Sequence, residues 1–140
     1  MNIEECINKG FLKKSKPDHE LSAKELKEAE YDLDKANTAF SEEDFKWCII
    51  KCYYSMFHAA KAVLFVEGYI EKKHIAIIVV LEDLSKKGKL SSKHIIEFKG
   101  AMSAREQADY QYSYSKEVAE FELKTAQKFI EAMKDFIAKA

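Results

Sequence analysis

The residues of this chain that are best suited to chemistry lie in two short segments. In the first segment, Tyr54 and His58 are four residues apart, so a helix presents a phenol and an imidazole on one face. Burying both groups costs desolvation energy unless each finds a hydrogen-bond partner. Two interpretations stay open: a buried Tyr–His hydrogen bond that specifies the core, or a polar pocket with a function.

The second segment surrounds Arg105, which is the only arginine in the chain. On a helix, Arg105, Asp109 and Tyr112 share one face, and Asp109 holds the guanidinium in place. A fixed Arg suits phosphate because its planar group grips two oxygens at once, and Tyr110 and Tyr112 suit stacking on unpaired bases. The segment therefore indicates a phosphate or nucleotide site with Arg105 and Asp109 as its binding residues. The alternative is an ordinary surface ion pair beside an aromatic turn.

Helices must position both segments, because the chain contains little that interrupts a helix. Only four Gly and one Pro occur in 140 residues, and we find no alternating pattern of a strand. Apolar residues at helical spacing predict a short N-terminal helix and five main helices. The ranges are about 3–12, 22–40, 45–67, 73–86, 92–108 and 116–137.

Short connections between long helices predict antiparallel neighbours. The expected fold is all-α: an antiparallel up-and-down bundle of four to five helices in residues 19–140, after a short helical arm in residues 1–18. Ser22 and Glu25 resemble a capping box that begins the first main helix. The 45–67 helix is apolar on two sides, so we expect it to be central or to lie in a subunit interface.

Composition argues against several classes of protein. The net charge of −1 and pI near 6.4 do not fit a broad basic surface, so any nucleic-acid contact is local. No apolar run approaches the roughly 20 residues that cross a bilayer, and the first residues lack the apolar stretch of a signal peptide, so we expect a cytoplasmic protein. The odd cysteine count and the spacing of Cys6, Cys48 and Cys52 predict free buried thiols. We predict no metal site and no cofactor.

Two blocks taken together resemble the HEPN domain family, in particular its small stand-alone branch. The blocks are Tyr53-Tyr54-x-x-Phe57-His58-Ala59-Ala60 and Arg105-x-x-Ala108-Asp109-Tyr110. The resemblance extends over roughly residues 23–136 in order and spacing. It implies a helical bundle that forms homodimers and acts on RNA or nucleotides. It also implies a partner, a minimal nucleotidyltransferase, in a toxin–antitoxin pair.

Ribonuclease members of this family carry an Arg, four to six residues, then a His that is sometimes followed by x-Tyr. Two copies meet across the dimer to cut RNA without metal. Here Arg105 and Tyr112 match, but Tyr110 stands where the His is expected. Cleavage through the 2′-hydroxyl needs a base and an acid, and a tyrosine with an ordinary pKa of about 10 is a poor base. His58 or His74 supplies the imidazole if the fold brings one of them near Arg105.

The resemblance also makes Tyr110 and Tyr112 candidate acceptors for modification by the partner enzyme. We expect the dimer to bring two copies of the 105–112 segment to a shared cleft. The competing hypothesis is a non-catalytic interaction module that binds another protein through the second apolar side of the 45–67 helix. Taken alone, His74 and His94 are predicted to be exposed and structural.

Overall fold

The computed structural model describes all 140 residues as six α-helices and one small sheet. The helices are α1 (Ile3–Asn8), α2 (His19–Ser41), α3 (Phe45–Glu67), α4 (Ile75–Lys86), α5 (Ser92–Tyr110) and α6 (Lys116–Lys139). Strands β1 (Leu12–Lys14) and β2 (Tyr69–Glu71) pair antiparallel, with Lys13 opposite Ile70. The prediction of an all-α helical bundle is confirmed, and the small sheet is an addition that the sequence did not predict.

The start of α2 differs from the prediction. Asp18 is the N-cap, and its side chain accepts a hydrogen bond from the Leu21 amide at 2.9 Å. Ser22 is buried inside the helix and donates its hydroxyl to the Ala62 carbonyl of α3, also at 2.9 Å. The predicted capping box of Ser22 and Glu25 is therefore wrong, and Glu25 makes a different contact that is described below.

Helix α3 is the centre of the molecule and packs against α2, α4, α5 and α6. Its bounds match the predicted range of 45–67; Asp44 caps the N-terminus, and Gly68 ends the helix in a left-handed conformation. By length and composition α3 is apolar enough to cross a membrane, but 78% of its apolar window is buried in the bundle. Ile50 and Phe57, from its second apolar side, are buried within the same chain. That side is therefore only partly free, because Trp47 and Tyr54 on it keep some exposure while Ile50 and Phe57 do not.

The N-terminal arm packs tightly on the bundle. Cys6 of α1 and Leu12 of β1 belong to the core, and α1 contacts α4. The pairing of β1 with β2 joins the arm to the segment that follows α3. All three cysteines are buried and free, as predicted.

Helix α5 contains the segment around Arg105 and packs it against the α3 segment that contains Tyr54. It continues to Tyr110, two residues beyond the predicted end, so Arg105 and Asp109 are both helical. The rings of Phe98 and Phe129 stack with centroids 5.9 Å apart and join α5 to α6, while α5 also packs on α3. This packing places Arg105 beside the middle of α3.

Candidate functional site

Arg105 is the centre of the candidate site, between α5 and α3. Its Nη2 donates a hydrogen bond to the Tyr54 hydroxyl at 3.0 Å and lies 3.6 Å from Asp109 Oδ2. The guanidinium carbon is 5.8, 5.5 and 5.3 Å from the ring centroids of Tyr53, Tyr54 and Tyr110, within cation–π range. Three tyrosines from two helices therefore surround a fixed cation.

Arg105 keeps hydrogen-bonding capacity for a ligand. A guanidinium carries five N–H donors, and only Nη2 has protein partners here. Nε is buried without a partner, and the side chain is 18% exposed. An unpaired buried donor is costly, but Nε is closed to solvent, so the donor that remains for a ligand is Nη1, which has no protein partner.

A hydrogen bond links a histidine to the same site. The Tyr53 hydroxyl and His74 Nδ1 are 2.9 Å apart, and the His74 ring centroid is 4.5 Å from that of Phe57. Burial raises the pKa of Tyr53 to about 12, so its phenol stays protonated at neutral pH. Because Tyr53 is 1% exposed and has no other partner, it donates to Nδ1. The proton of neutral His74 is then on Nε2.

His58 contacts a different helix. Its Nδ1 is 2.6 Å from Glu25 Oε2 and its Nε2 is 3.6 Å from Asp32 Oδ2, so it joins α3 to α2. The hydrogen bond that His58 donates to Glu25 raises the pKa of His58, whereas burial lowers it. The predicted Tyr54–His58 hydrogen bond is therefore wrong, because Tyr54 bonds to Arg105 and His58 bonds to Glu25. A catalytic role for His58 stays a prediction.

Tyr112 does not share a face with Arg105. Helix α5 ends at Tyr110, and Tyr112 has φ 53°, a left-handed conformation that is rare for bulky residues. Its ring is 76% exposed, and Lys46 Nζ of α3 lies 5.7 Å from its centroid. The α5–α6 connection therefore places Tyr112 near the start of α3, away from the predicted helical face.

The main cavities of the molecule lie away from Arg105. The largest, about 500 Å³, is formed at the far end of the bundle, with His94 and Phe136 in its lining. His94 is only partly exposed and pairs with Glu97 at 2.8 Å, so the prediction of an exposed His94 is wrong, whereas His74 is exposed as predicted. Arg105 lines none of these cavities, and the cleft that we expect between two copies of the chain stays a prediction.

Sequence reasoning did not assign Tyr53, Lys46 or Trp47 to this region. Trp47 is 46% exposed at the start of α3, with Lys46 Nζ and Lys51 Nζ 5.9 and 5.8 Å from its ring centroid. The available signal was helical spacing, because Trp47, Lys51 and Tyr54 fall at i, i+4 and i+7. Tyr53 belongs to the first block of the family resemblance, but its contacts with His74 and Arg105 depend on the fold.

Comparisons with known proteins agree with this architecture. Residues 23–136 match the model of the HEPN domain. A UPF0332 protein of Archaeoglobus fulgidus is 30% identical over 116 residues, which cover 81% of this chain and 93% of that protein. The crystal structure of TT1696 from Thermus thermophilus shares the fold, with a TM-score of 0.72 and 18% identity over 82% of this chain and 97% of that one. The chain therefore belongs to the HEPN domain family.

Proposed function

We propose that this protein is an RNA- or nucleotide-binding subunit that holds a phosphate group at Arg105. One observation carries the proposal: a fixed guanidinium with unused donors, ringed by three tyrosines. The fork of an arginine matches the geometry of phosphate oxygens, and tyrosine rings suit unpaired bases. Membership of the HEPN family supports an RNA- or nucleotide-related role.

Family resemblance supplies the partners in this proposal. The subunit is a cytoplasmic homodimer paired with a minimal nucleotidyltransferase in a toxin–antitoxin-type system. Tyr110 and Tyr112 are 66% and 76% exposed, so a partner enzyme can reach both hydroxyls. Coexpression with a nucleotidyltransferase encoded beside this gene should add the mass of a nucleotide to this protein in a mass spectrum. The added mass should be absent from Tyr112→Phe or from Tyr110→Phe and present in Tyr114→Phe. An unmodified wild-type chain in a stable complex would contradict the acceptor role.

Metal-independent RNA cleavage is the part of the proposal that depends on a histidine. Tyr110 stands at the position of the motif His, so an imidazole must come from elsewhere. The hydrogen bond through Tyr53 connects His74 to the Arg105 site, whereas Glu25 and Asp32 hold His58. This connection favours His74 as the acid or base. Rates of RNA cleavage by His74→Ala and His58→Ala, measured in EDTA, decide between the two histidines: the larger loss of rate identifies the one that takes part.

Binding of labelled single-stranded RNA by Arg105 variants tests the central proposal. Arg105→Ala should weaken binding about tenfold or more, because charged hydrogen bonds contribute about 1.5–3 kcal/mol. Arg105→Lys should recover only part of the affinity, since it keeps the charge and loses the fork. Lys93→Ala, an exposed cation on the same helix, is the matched control. Equal affinity of wild type and Arg105→Ala would contradict the proposal.

The second candidate function is a non-catalytic protein-interaction module. Ile50 and Phe57 of the α3 side that suggested it are buried, whereas Val118 and Phe121, one turn apart on α6, are 40% and 65% exposed. These two side chains give the module hypothesis another surface. Two results together would favour this candidate. The Arg105→Ala protein should still bind the nucleotidyltransferase while Phe121→Lys should not, and the wild-type protein should bind no RNA.

A further inference from the structure

We propose that the ligand is a single-stranded RNA that runs along α3 from Arg105 to Trp47, with one base stacked on Trp47. The inference rests on the proposed function, because Arg105 supplies the phosphate contact at one end. It adds a base-stacking site at the N-terminal end of α3, outside the two sequence blocks that carry the family resemblance.

The path follows a stripe of α3 that the other helices leave open. Trp47, Lys51 and Tyr54 lie at i, i+4 and i+7, so they share one side of the helix and span about 10 Å. All three are at least partly exposed, whereas Ile50 and Tyr53 beside them are buried. Tyr54 accepts the hydrogen bond from Arg105, so the stripe begins at the phosphate site and ends at Trp47.

Exposed rings and unpaired cations alternate at the far end of this stripe. Lys46 Nζ lies 5.9 Å from the ring centroid of Trp47 and 5.7 Å from that of Tyr112, so two rings from different elements flank one ammonium group. The ion pairs of this protein use other lysines, so Lys46 and Lys51 are available to phosphate. Proteins that bind single strands without reading their sequence combine cations and stacking surfaces in this way.

The same features favour a single strand over a duplex or a free nucleotide. Stacking on Trp47 needs an unpaired base, and paired bases in a helix cover one another. Cations lie at both ends of the stripe, Arg105 at one and Lys46 and Lys51 beside Trp47 at the other. A chain of nucleotides has phosphates for both ends, whereas AMP carries phosphate at one position only. The net charge of −1 keeps the attraction local to the stripe and argues against duplex binding driven by a broad positive surface.

Trp47 provides a direct readout because it is the only tryptophan in the chain. We expect a single-stranded oligoadenylate of about eight nucleotides to quench its fluorescence saturably. Duplex RNA of the same length, AMP and inorganic phosphate should change it little at the same concentration. In an anisotropy assay, Trp47→Ala should weaken binding of the labelled oligonucleotide about tenfold.

Tyr31→Ala is the matched control for Trp47→Ala. Tyr31 lies on α2, is 57% exposed and has Lys35 Nζ 5.3 Å from its ring centroid, so it has the same chemistry away from Arg105. Binding that depends on Arg105 but leaves Trp47 fluorescence unchanged would overturn the stacking site and leave the proposed function intact. Equal quenching by AMP or duplex would overturn the choice of a single strand. Wild type that binds no RNA would overturn both proposals.

Discussion

Glu122 on α6 is a carboxyl group inside the bundle. It is 4% exposed, and its Oε2 has no hydrogen-bond partner. Burial, together with the negative charge of Glu97 on α5, raises the pKa of Glu122 to about 7. The folded protein therefore favours the neutral form, and ionising this group costs folding free energy as the pH rises.

We expect Glu122→Gln to stabilise the protein above pH 7. The folded pKa lies above the unfolded value of 4.5, so the folded state binds more protons and stability falls as the pH rises between these values. Gln keeps the shape and cannot ionise, so its gain should reach about 2–3 kcal/mol at about pH 8. Urea unfolding of both proteins should show a much smaller gain at about pH 5. An equal gain at both pH values would contradict this account.

The residue contacts of the candidate site were predictable only where both partners are close in sequence. Arg105 and Asp109 are four residues apart on a helix, and their predicted pairing is present at 3.6 Å. The contact of Arg105 with Tyr54 joins residues 51 apart and depends on α5 packing against α3. His74 reaches Tyr53 for the same kind of reason, across 21 residues. Local spacing contains no distance information of this kind.

Gly68 connects α3 to β2 and to the N-terminal arm. Its φ is 84°, and an added Cβ would lie 2.8 Å from the Ser15 carbonyl oxygen. The Gly68 carbonyl also accepts a hydrogen bond from the Ser15 amide at 2.9 Å. A left-handed residue in close contact with another backbone segment requires glycine for both reasons.

We expect Gly68→Ala to destabilise the protein by about 2–3 kcal/mol, since backbone strain and a steric clash add together. Gly88→Ala is the matched control, because Gly88 has φ 73° with open space around a Cβ. It should therefore cost only the strain, about 1 kcal/mol. Thermal or urea unfolding measures both losses. Equal losses at the two positions would show that the contact with Ser15 contributes nothing.

Elements were predictable where their signals are local. The bounds of α3 follow from Asp44 and Gly68, which are caps of its own ends. The β1–β2 pair was missed because each strand has three residues, too few for an alternating pattern, and the strands are far apart in sequence. The start of α2 was predicted at Ser22 but lies at Asp18, because the Ser22 hydroxyl bonds to α3 and local sequence does not show that contact.

Two exposed apolar side chains lie one turn apart at the start of α6. Val118 and Phe121 are 40% and 65% exposed there. Val118 borders a groove of about 310 Å³ that Gly100 and Tyr114 also line. A Cβ at Gly100 would have nothing within 4 Å, so the groove has room for a side chain from another molecule. Exposed apolar groups beside an empty groove are typical of an interaction site.

We expect a second copy of this chain to pack on that surface. A two-fold contact is self-complementary, so Phe121 of each copy can enter the groove of the other. Tyr114 belongs to the connection that also carries Tyr112, so this contact brings the two copies of the 105–112 segment to the same side of the dimer.

Phe121→Lys should therefore be monomeric by light scattering at concentrations where the wild type is dimeric. Its unfolding temperature, extrapolated to low concentration, should match the wild type, because the Phe121 side chain is mostly exposed in one chain. Tyr31→Lys on α2 removes a similarly exposed ring elsewhere and should stay dimeric. A dimeric Phe121→Lys would show that the dimer interface lies on another surface. A monomeric wild type would show that each Arg105 site acts without a second copy.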